Sequence, residues 1–285
     1  MTALYFALLS LLCAAFNDVV FKLYASGRRP VGYYLAVIGV VWFSFFIILY
    51  GLWSVHGIDG VSLFWGTVSG LFSAAANILL IEAMARQEVG ICATIYRLNL
   101  APAAILAFIF LGENISFWKI MGIAAAVGAV ILFSQPSKTS ISKESASALW
   151  MLAAASLFRA CMGITYKCGL ENGADMYLIL ALNGFIWILS GVSYHFTAER
   201  KKALFSLNTC AFGIFSGILV CGIVVFMMMA LKRGEASMVL PVSQLSFFVS
   251  ALIGVLFLKE KLNRRKSIGL MLAFLCVLFM AMVKG

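Results

Sequence analysis

Long apolar runs separated by short polar connectors recur from one end of this chain to the other. A helix needs about 20 apolar residues to cross the hydrocarbon core of a bilayer. Ten runs approach that length: Ala3 to Phe21, Tyr33 to Trp53, Leu63 to Ala83, Ile91 to Leu111, Phe117 to Ser134, Ala148 to Lys167, Met176 to Phe196, Ala211 to Leu231, Met238 to Leu258 and Ser267 to Val283. In hydrocarbon every backbone amide must find a partner within its own segment, so each run reads as a transmembrane helix. The first has neither a basic leader nor a small-residue cleavage site, and reads as a retained helix rather than a signal peptide.

Composition agrees with lipid as the main solvent. Of the 285 residues 64% are hydrophobic and 11% are charged, against about 25% charged in a soluble domain. The net charge of +10 would suit nucleic acid, but Lys and Arg occupy short connectors and form no basic domain. The partners expected are therefore membrane lipid and a small molecule, with no nucleic acid and with the chain a monomer or weak homodimer. Seven cysteines show no C-x-x-C or metal spacing and read as small apolar residues. His56 and His195 lie at helix ends and offer no metal constellation, so neither metal nor cofactor is expected.

The connector 135–147, QPSKTSISKESAS, is the longest polar stretch and has the composition of a flexible linker. It separates five helices (1–134) from five helices (148–285). The two halves are related. A shift of 147 positions lays Gly66, Ser69 and Gly70 on Gly213, Ser216 and Gly217, and Ala83, Arg86 and Glu88 on Ala230, Arg233 and Glu235. The same shift lays Glu113, Lys119 and Gly122 on Glu260, Lys266 and Gly269, while a shift of 145 lays Phe21 and Lys22 on Tyr166 and Lys167. An odd number of helices per unit makes the second enter the membrane from the opposite side, which is an inverted-topology repeat with its site near the midplane. Glycines within the helices let backbones approach where packing alone holds a bundle together.

The turn pattern A-x-x-R-x-E followed by an apolar helix ending in L-x-E, seen twice, resembles the EamA family of the drug/metabolite transporter superfamily. The resemblance covers essentially the whole chain. It implies an all-α integral membrane fold of ten transmembrane helices in two inverted five-helix repeats. It also implies a central cavity lined by the first, third, fourth, sixth, eighth and ninth helices, and a substrate drawn from amino acids, other metabolites, sugars or nucleotide-linked compounds.

Ionisable groups deep in a bilayer are costly and usually face a cavity or a partner. Arg97, within Tyr96-Arg97-Leu98-Asn99 and ahead of Pro102, either clamps a substrate carboxylate or phosphate with two parallel hydrogen bonds or is tied to carbonyls and Asn99. Arg159 breaks the repeat symmetry in the sixth helix and reads as a second anion contact, or as a snorkelling or acid-paired side chain. Asn17 and Asp18 lie in the first helix. Asp18 either pairs with Lys22, four residues on, or binds a proton or answers one of the arginines. Asn77 and Gln244 read as cavity liners or inter-helical hydrogen-bonders, and Glu82 as the partner of Arg86. Lys22, Lys167 and Tyr166 are candidates for entry or gating, against snorkelling lysines and an interfacial tyrosine.

No G-x-x-x-x-G-K-[ST] loop, H-E-x-x-H or G-x-S-x-G motif occurs, so neither an ATP-driven pump nor a membrane hydrolase is expected. Two central arginines favour a secondary transporter of an amino acid or other anionic metabolite in the inner or plasma membrane. The alternatives are an exporter of hydrophobic or cationic compounds and a channel or scaffold subunit. Loop charge, with fourteen of the 21 Lys and Arg residues in or beside the odd-numbered connectors, places both termini outside the cytoplasm. The family resemblance implies cytoplasmic termini.

Overall fold

The computed structural model describes residues 2–25, 30–54, 57–84, 95–133, 143–199, 206–246, 249 and 264–283. Among them are ten helices and no strand. They are α1 (Thr2–Ala25), α2 (Val31–Trp53), α3 (Gly60–Met84), α4 (Leu100–Phe110), α5 (Phe117–Phe133), α6 (Lys143–Glu171), α7 (Met176–Ala198), α8 (Leu207–Arg233), α9 (Ala236–Ser243) and α10 (Arg264–Ala281). Six of them, α1, α2, α3, α6, α7 and α8, contain stretches long and apolar enough to cross a membrane, and α4, α5 and α10 contain shorter apolar stretches.

Several limits differ from the hydropathy reading: α1 runs on to Ala25 and α6 to Glu171, α3 and α10 begin three residues early, at Gly60 and Arg264, and two starts move further. α6 begins at Lys143, inside the stretch read as linker, because Lys, Glu and Ala are good helix formers whether or not they are apolar. α8 begins at Leu207, four residues early, directly after the extended Ser206. The Glu88, Arg86, Glu260 and His56 positions lie outside the described residues.

Packing between the halves obeys an exchange rule. α2 packs on α7, α5 on α10 and α4 on α9; each of these pairs exchanges into itself when the halves are swapped. The other main contacts come in swapped couples: α3 with α6 and α8 with α1, α3 with α7 and α8 with α2, α4 with α6 and α9 with α1. The rule reaches single residues. A Cβ built on Gly66 would meet Leu182 and one on Gly70 would meet Ile186, while their repeat mates Gly213 and Gly217 would meet Val37 and Val41. Val37 and Val41 are themselves the mates of Leu182 and Ile186 at the 145 offset. The glycine repeat in the sequence is thus a repeat of one interface, made twice.

Carboxylates outside the apolar spans hold helix starts. The first amides of a helix have no partner within it and carry partial positive charge. Glu199 accepts from the amides of Val31 (3.0 Å) and Gly32 (2.8 Å) at the start of α2. Asp175 accepts from Tyr177 (2.8 Å) and Leu178 (3.0 Å) at the start of α7 and from the Ser54 hydroxyl after α2. Glu113, in the turn between α4 and α5, accepts from the amides of Ala236 and Ser237 and from the Ser237 hydroxyl at the start of α9. Asp59 accepts from the Ser62 hydroxyl and amide, which hold its carboxyl below the usual carboxylate range.

Candidate functional site

The chain leading into α4 is helical at 95–97, turns at Leu98 and Asn99, and resumes at Leu100. The break has a local cause. Pro102 has no amide hydrogen to give the Leu98 carbonyl. Leu98 accepts from Ala101 at 3.1 Å instead, and Asn99 donates to the Tyr96 carbonyl at 3.3 Å, both across three residues rather than four. α9 breaks at the repeat-equivalent place: Pro241 lies within it, and Gln244 and Leu245 form a turn after Ser243. Discontinuous helices free backbone groups where they line a cavity or are buried in protein.

The breaks bring polar groups from three helices together. Arg97 Nη2 donates to Asp18 Oδ2 of α1 at 2.6 Å. Arg97 Nη1 donates to the Ser246 hydroxyl at 2.8 Å and to the Gln244 carbonyl at 3.2 Å. The Ser246 hydroxyl in turn donates to Asp18 Oδ2 at 2.8 Å. Asn99 Nδ2 donates to the Tyr96 carbonyl at 2.8 Å and reaches Gln244 Oε1 at 3.4 Å. Arg97 and Gln244 are repeat mates, as are Asn99 and Ser246, so this cluster lies where the halves meet. The side chains of Arg97 and Asp18 are 20% and 36% exposed, so the pair is partly open rather than sealed.

Arg159, in α6, is in a different situation. Its Nη1 has the Met162 thioether as acceptor at 3.5 Å, a weak one. Its Nε is buried with no partner, and no carboxylate pairs with it among the described residues. Tyr96 lies within electrostatic reach of both Arg97 and Arg159, which links the α6 guanidinium to the cluster at the helix breaks.

Other candidates are engaged elsewhere. Asn17 accepts from the Ser216 hydroxyl of α8. Asn77 Nδ2 donates to the Ser73 carbonyl one turn back in α3, at 2.8 Å. Tyr166 is fully buried and its hydroxyl donates to Asn183 Oδ1 at 2.9 Å. Asn183 Nδ2 continues to Ser69 (2.8 Å) and the Gly66 carbonyl (3.1 Å), so this knot ties α6, α7 and α3. Lys167 donates to the Leu231 and Gly234 carbonyls at 2.8 and 3.1 Å and pairs with Glu171 at 3.4 Å. It thus holds the end of α8, where a cation also suits the helix dipole. The Lys22 side chain lies outside the described residues. Glu82 shares a hydrogen bond with Tyr194 of α7, whereas Arg86 is not described. Buried Lys119 pairs with Glu235 and donates to the Asn114 carbonyl at 2.7 Å.

Sequence reasoning missed Ser246, Ser216 and Asn183. For Ser246 a signal existed, since it is the repeat mate of Asn99. Asn183 was visible as an amide in mid-helix, but its burial against α3 follows only from packing.

The profile of the EamA-like transporter family matches residues 1–135 and again 146–282. The chain therefore belongs to the EamA-like transporter family, and is a multi-pass membrane protein of that transporter class. A crystal structure of a protein 13% identical in sequence is similar with a TM-score of 0.81, covering 97% of this chain and 95% of the other. At that identity the likeness is one of fold. No curated protein matches the chain.

Proposed function

We propose that this EamA-like chain is a secondary transporter that moves a small polar metabolite, an amino acid or other carboxylate, across the cytoplasmic membrane by alternating access. The observation that carries the reading is Arg159. A guanidinium inside an apolar helix, with its Nε buried and unbonded and with no described carboxylate beside it, is a donor group awaiting an anion. Its planar fork matches a carboxylate with two parallel hydrogen bonds. Arg97 is answered by Asp18 in this state, so the polar cluster as a whole keeps one positive charge, which repels a cationic drug and attracts an anion.

Tyr96, Asn99 and Gln244 would complete the site from α4 and α9, and Asn17, Asp18 and Asn77 would add polar contacts from α1 and α3. Alternating exposure fits two five-helix units in opposite membrane orientation, a relation that the exchange symmetry of the packing supports. Rocking one half on the other would open the site first to one face, then to the other.

Counterflow tests this reading. Proteoliposomes preloaded with a concentrated unlabelled amino-acid mixture are diluted into medium holding a much lower concentration of the same mixture carrying 14C label. A carrier produces a transient overshoot of label inside. Label that merely equilibrates, with no dependence on preloading, would point to a channel and overturn the proposal.

A further inference from the structure

Charged side chains gather at one end of the bundle, where α4, α6 and α8 finish and α9 begins. Lys119, two residues into α5, is the most deeply buried charged residue among those described. An ammonium out of water is costly, and an ordinary lysine at a helix end reaches for the surface. This one turns inward. Its Nζ donates to the Asn114 carbonyl at 2.7 Å, lies 5.8 Å from the centre of the Phe108 ring and pairs with Glu235. Asn114 and Phe108 belong to its own half, whereas Glu235 belongs to the other. Glu113 makes the same crossing with the opposite charge, from the turn between α4 and α5 to the amides of Ala236 and Ser237 and to the Ser237 hydroxyl. Lys167 holds the same turn through the Leu231 and Gly234 carbonyls. At the start of α1, Ala3 packs so closely on Gly234 that a Cβ built there would stand 2.6 Å from its own.

The place of these ties gives them a meaning beyond capping. Arg159 precedes Lys167 by eight residues on α6, and Gln244 follows Ala236 by eight at the end of α9. At 1.5 Å per residue both lie roughly 12 Å inward of this end. The layer between contains Ala230, Leu231, Ala236, Ser237 and Val239, all wholly buried. Cargo on Arg159 is closed off from this end as long as the turn between α8 and α9 is held. Lys119 and Glu113 hold it from the opposite half, so a rocking of the halves that opens this end must break both ties.

We propose that the Lys119–Glu235 pair and the bonds from Glu113 to Ala236 and Ser237 form the gate at this end of the transport path, made when the site faces the other side and broken when it opens here. The inference deepens the transport reading and rests on it for the path. The two partners are unequally placed, and this sets what their loss does. The Lys119 side chain is 2% exposed and that of Glu235 is 39% exposed. Without Glu235 the ammonium is stranded in the closed state and hydrated in the open one, and removing one partner of a buried pair disrupts far more than removing both. Without Lys119, Glu235 keeps its water and only the tie is lost.

Thiol labelling tests the gate without any cargo. Ser237→Cys places a thiol under the gate that can still donate to Glu113, and Thr209→Cys places one at the other end of α8, where Thr209 is equally buried. Each purified protein is exposed in detergent to the charged reagent MTSES, and modification at that residue is followed by mass spectrometry. Adding Glu235→Gln to Ser237→Cys should speed modification on the order of tenfold or more, the scale expected for stranding one partner of a buried pair. Adding it to Thr209→Cys should leave the rate unchanged. Lys119→Met on top of Glu235→Gln removes the stranded charge and should bring the Ser237→Cys rate back toward its starting value. No acceleration at Ser237→Cys would overturn the gate, and so would equal acceleration at both thiols, which marks a general loosening. A triple variant as fast as the double one would overturn it as well. Should Glu235→Gln fail to fold, Lys119→Met alone cuts the same tie and must speed Ser237→Cys by a smaller factor while sparing Thr209→Cys; an unchanged rate would overturn the gate. Labelling needs no substrate, so its failure removes the gate and leaves the carrier reading to the counterflow assay.

Discussion

Replacing Gly184 with Leu drives a side chain into the contact that relates the two halves. α7 meets α2 there so closely that a Cβ on Gly184 would stand 2.5 Å from the Phe43 nitrogen, 2.9 Å from its Cα and 3.1 Å from the Trp42 carbonyl carbon. Ordinary heavy-atom contacts lie at about 3.5–4.0 Å, so the two backbones must separate by roughly 1 Å for the Cβ alone. The contacts are backbone, and no rotamer change relieves them. Overpacking of this kind costs about 1–3 kcal/mol, occasionally more, and the helix gains back about 1 kcal/mol when Gly is removed. With the three further carbons of Leu the net loss should be about 2–3 kcal/mol. At about 2–4 °C per kcal/mol for chains somewhat shorter than this one, Tm in detergent should fall by roughly 5–10 °C. The control is Gly51→Leu on α2, where a Cβ would meet nothing within 4 Å; its Tm should hold or rise slightly. Equal Tm for Gly184→Leu and the wild type, or an equal fall in the control, would refute the argument that this close approach holds the halves together.

Two other expectations are quickly checked. Glu113→Gln keeps the shape but removes the charge facing the amides of Ala236 and Ser237; with charge-assisted bonds worth about 1.5–3 kcal/mol and neutral ones about 1, thermal unfolding should come several degrees earlier, and an unchanged Tm would remove the capping role. Cysteine labels at Ser206 and at the C-terminus should report opposite membrane faces, because three spans separate them; a shared face would break the five-plus-five count.

Most helices were legible because apolar length is a strong and local signal. The edges that moved show its limit: Lys143 to Ser147 continue α6 through polar residues, which hydropathy cannot see but helix propensity permits. The helix breaks were half legible. Pro102 announced the freed carbonyl before α4, while Pro241 and the turn at Gln244 and Leu245 passed unread within an apolar run. For the site, residue type and depth marked Arg97, Asp18 and Arg159, but not how they pair. Asp18 and Arg97 are 79 positions apart, and that pairing is set by the packing of α1 against the two breaks rather than by any local pattern. Lys167 and Tyr166 show the converse. Their positions suggested entry groups, yet the bonds that each makes, to the end of α8 and to Asn183, depend on neighbours distant in sequence.

The central claim is that Arg159 receives the carboxylate of the cargo. Its most direct test is the affinity of amino acids for the purified protein, measured by calorimetry for the wild type, Arg159→Lys and Arg159→Gln at matched thermal stability. The account predicts a measurable wild-type affinity that weakens by tenfold or more in the Gln variant, since a charge-assisted bond contributes about 1.5–3 kcal/mol. The Lys variant should fall between, keeping the charge without the planar fork. Wild-type affinity in the Gln variant would contradict the account.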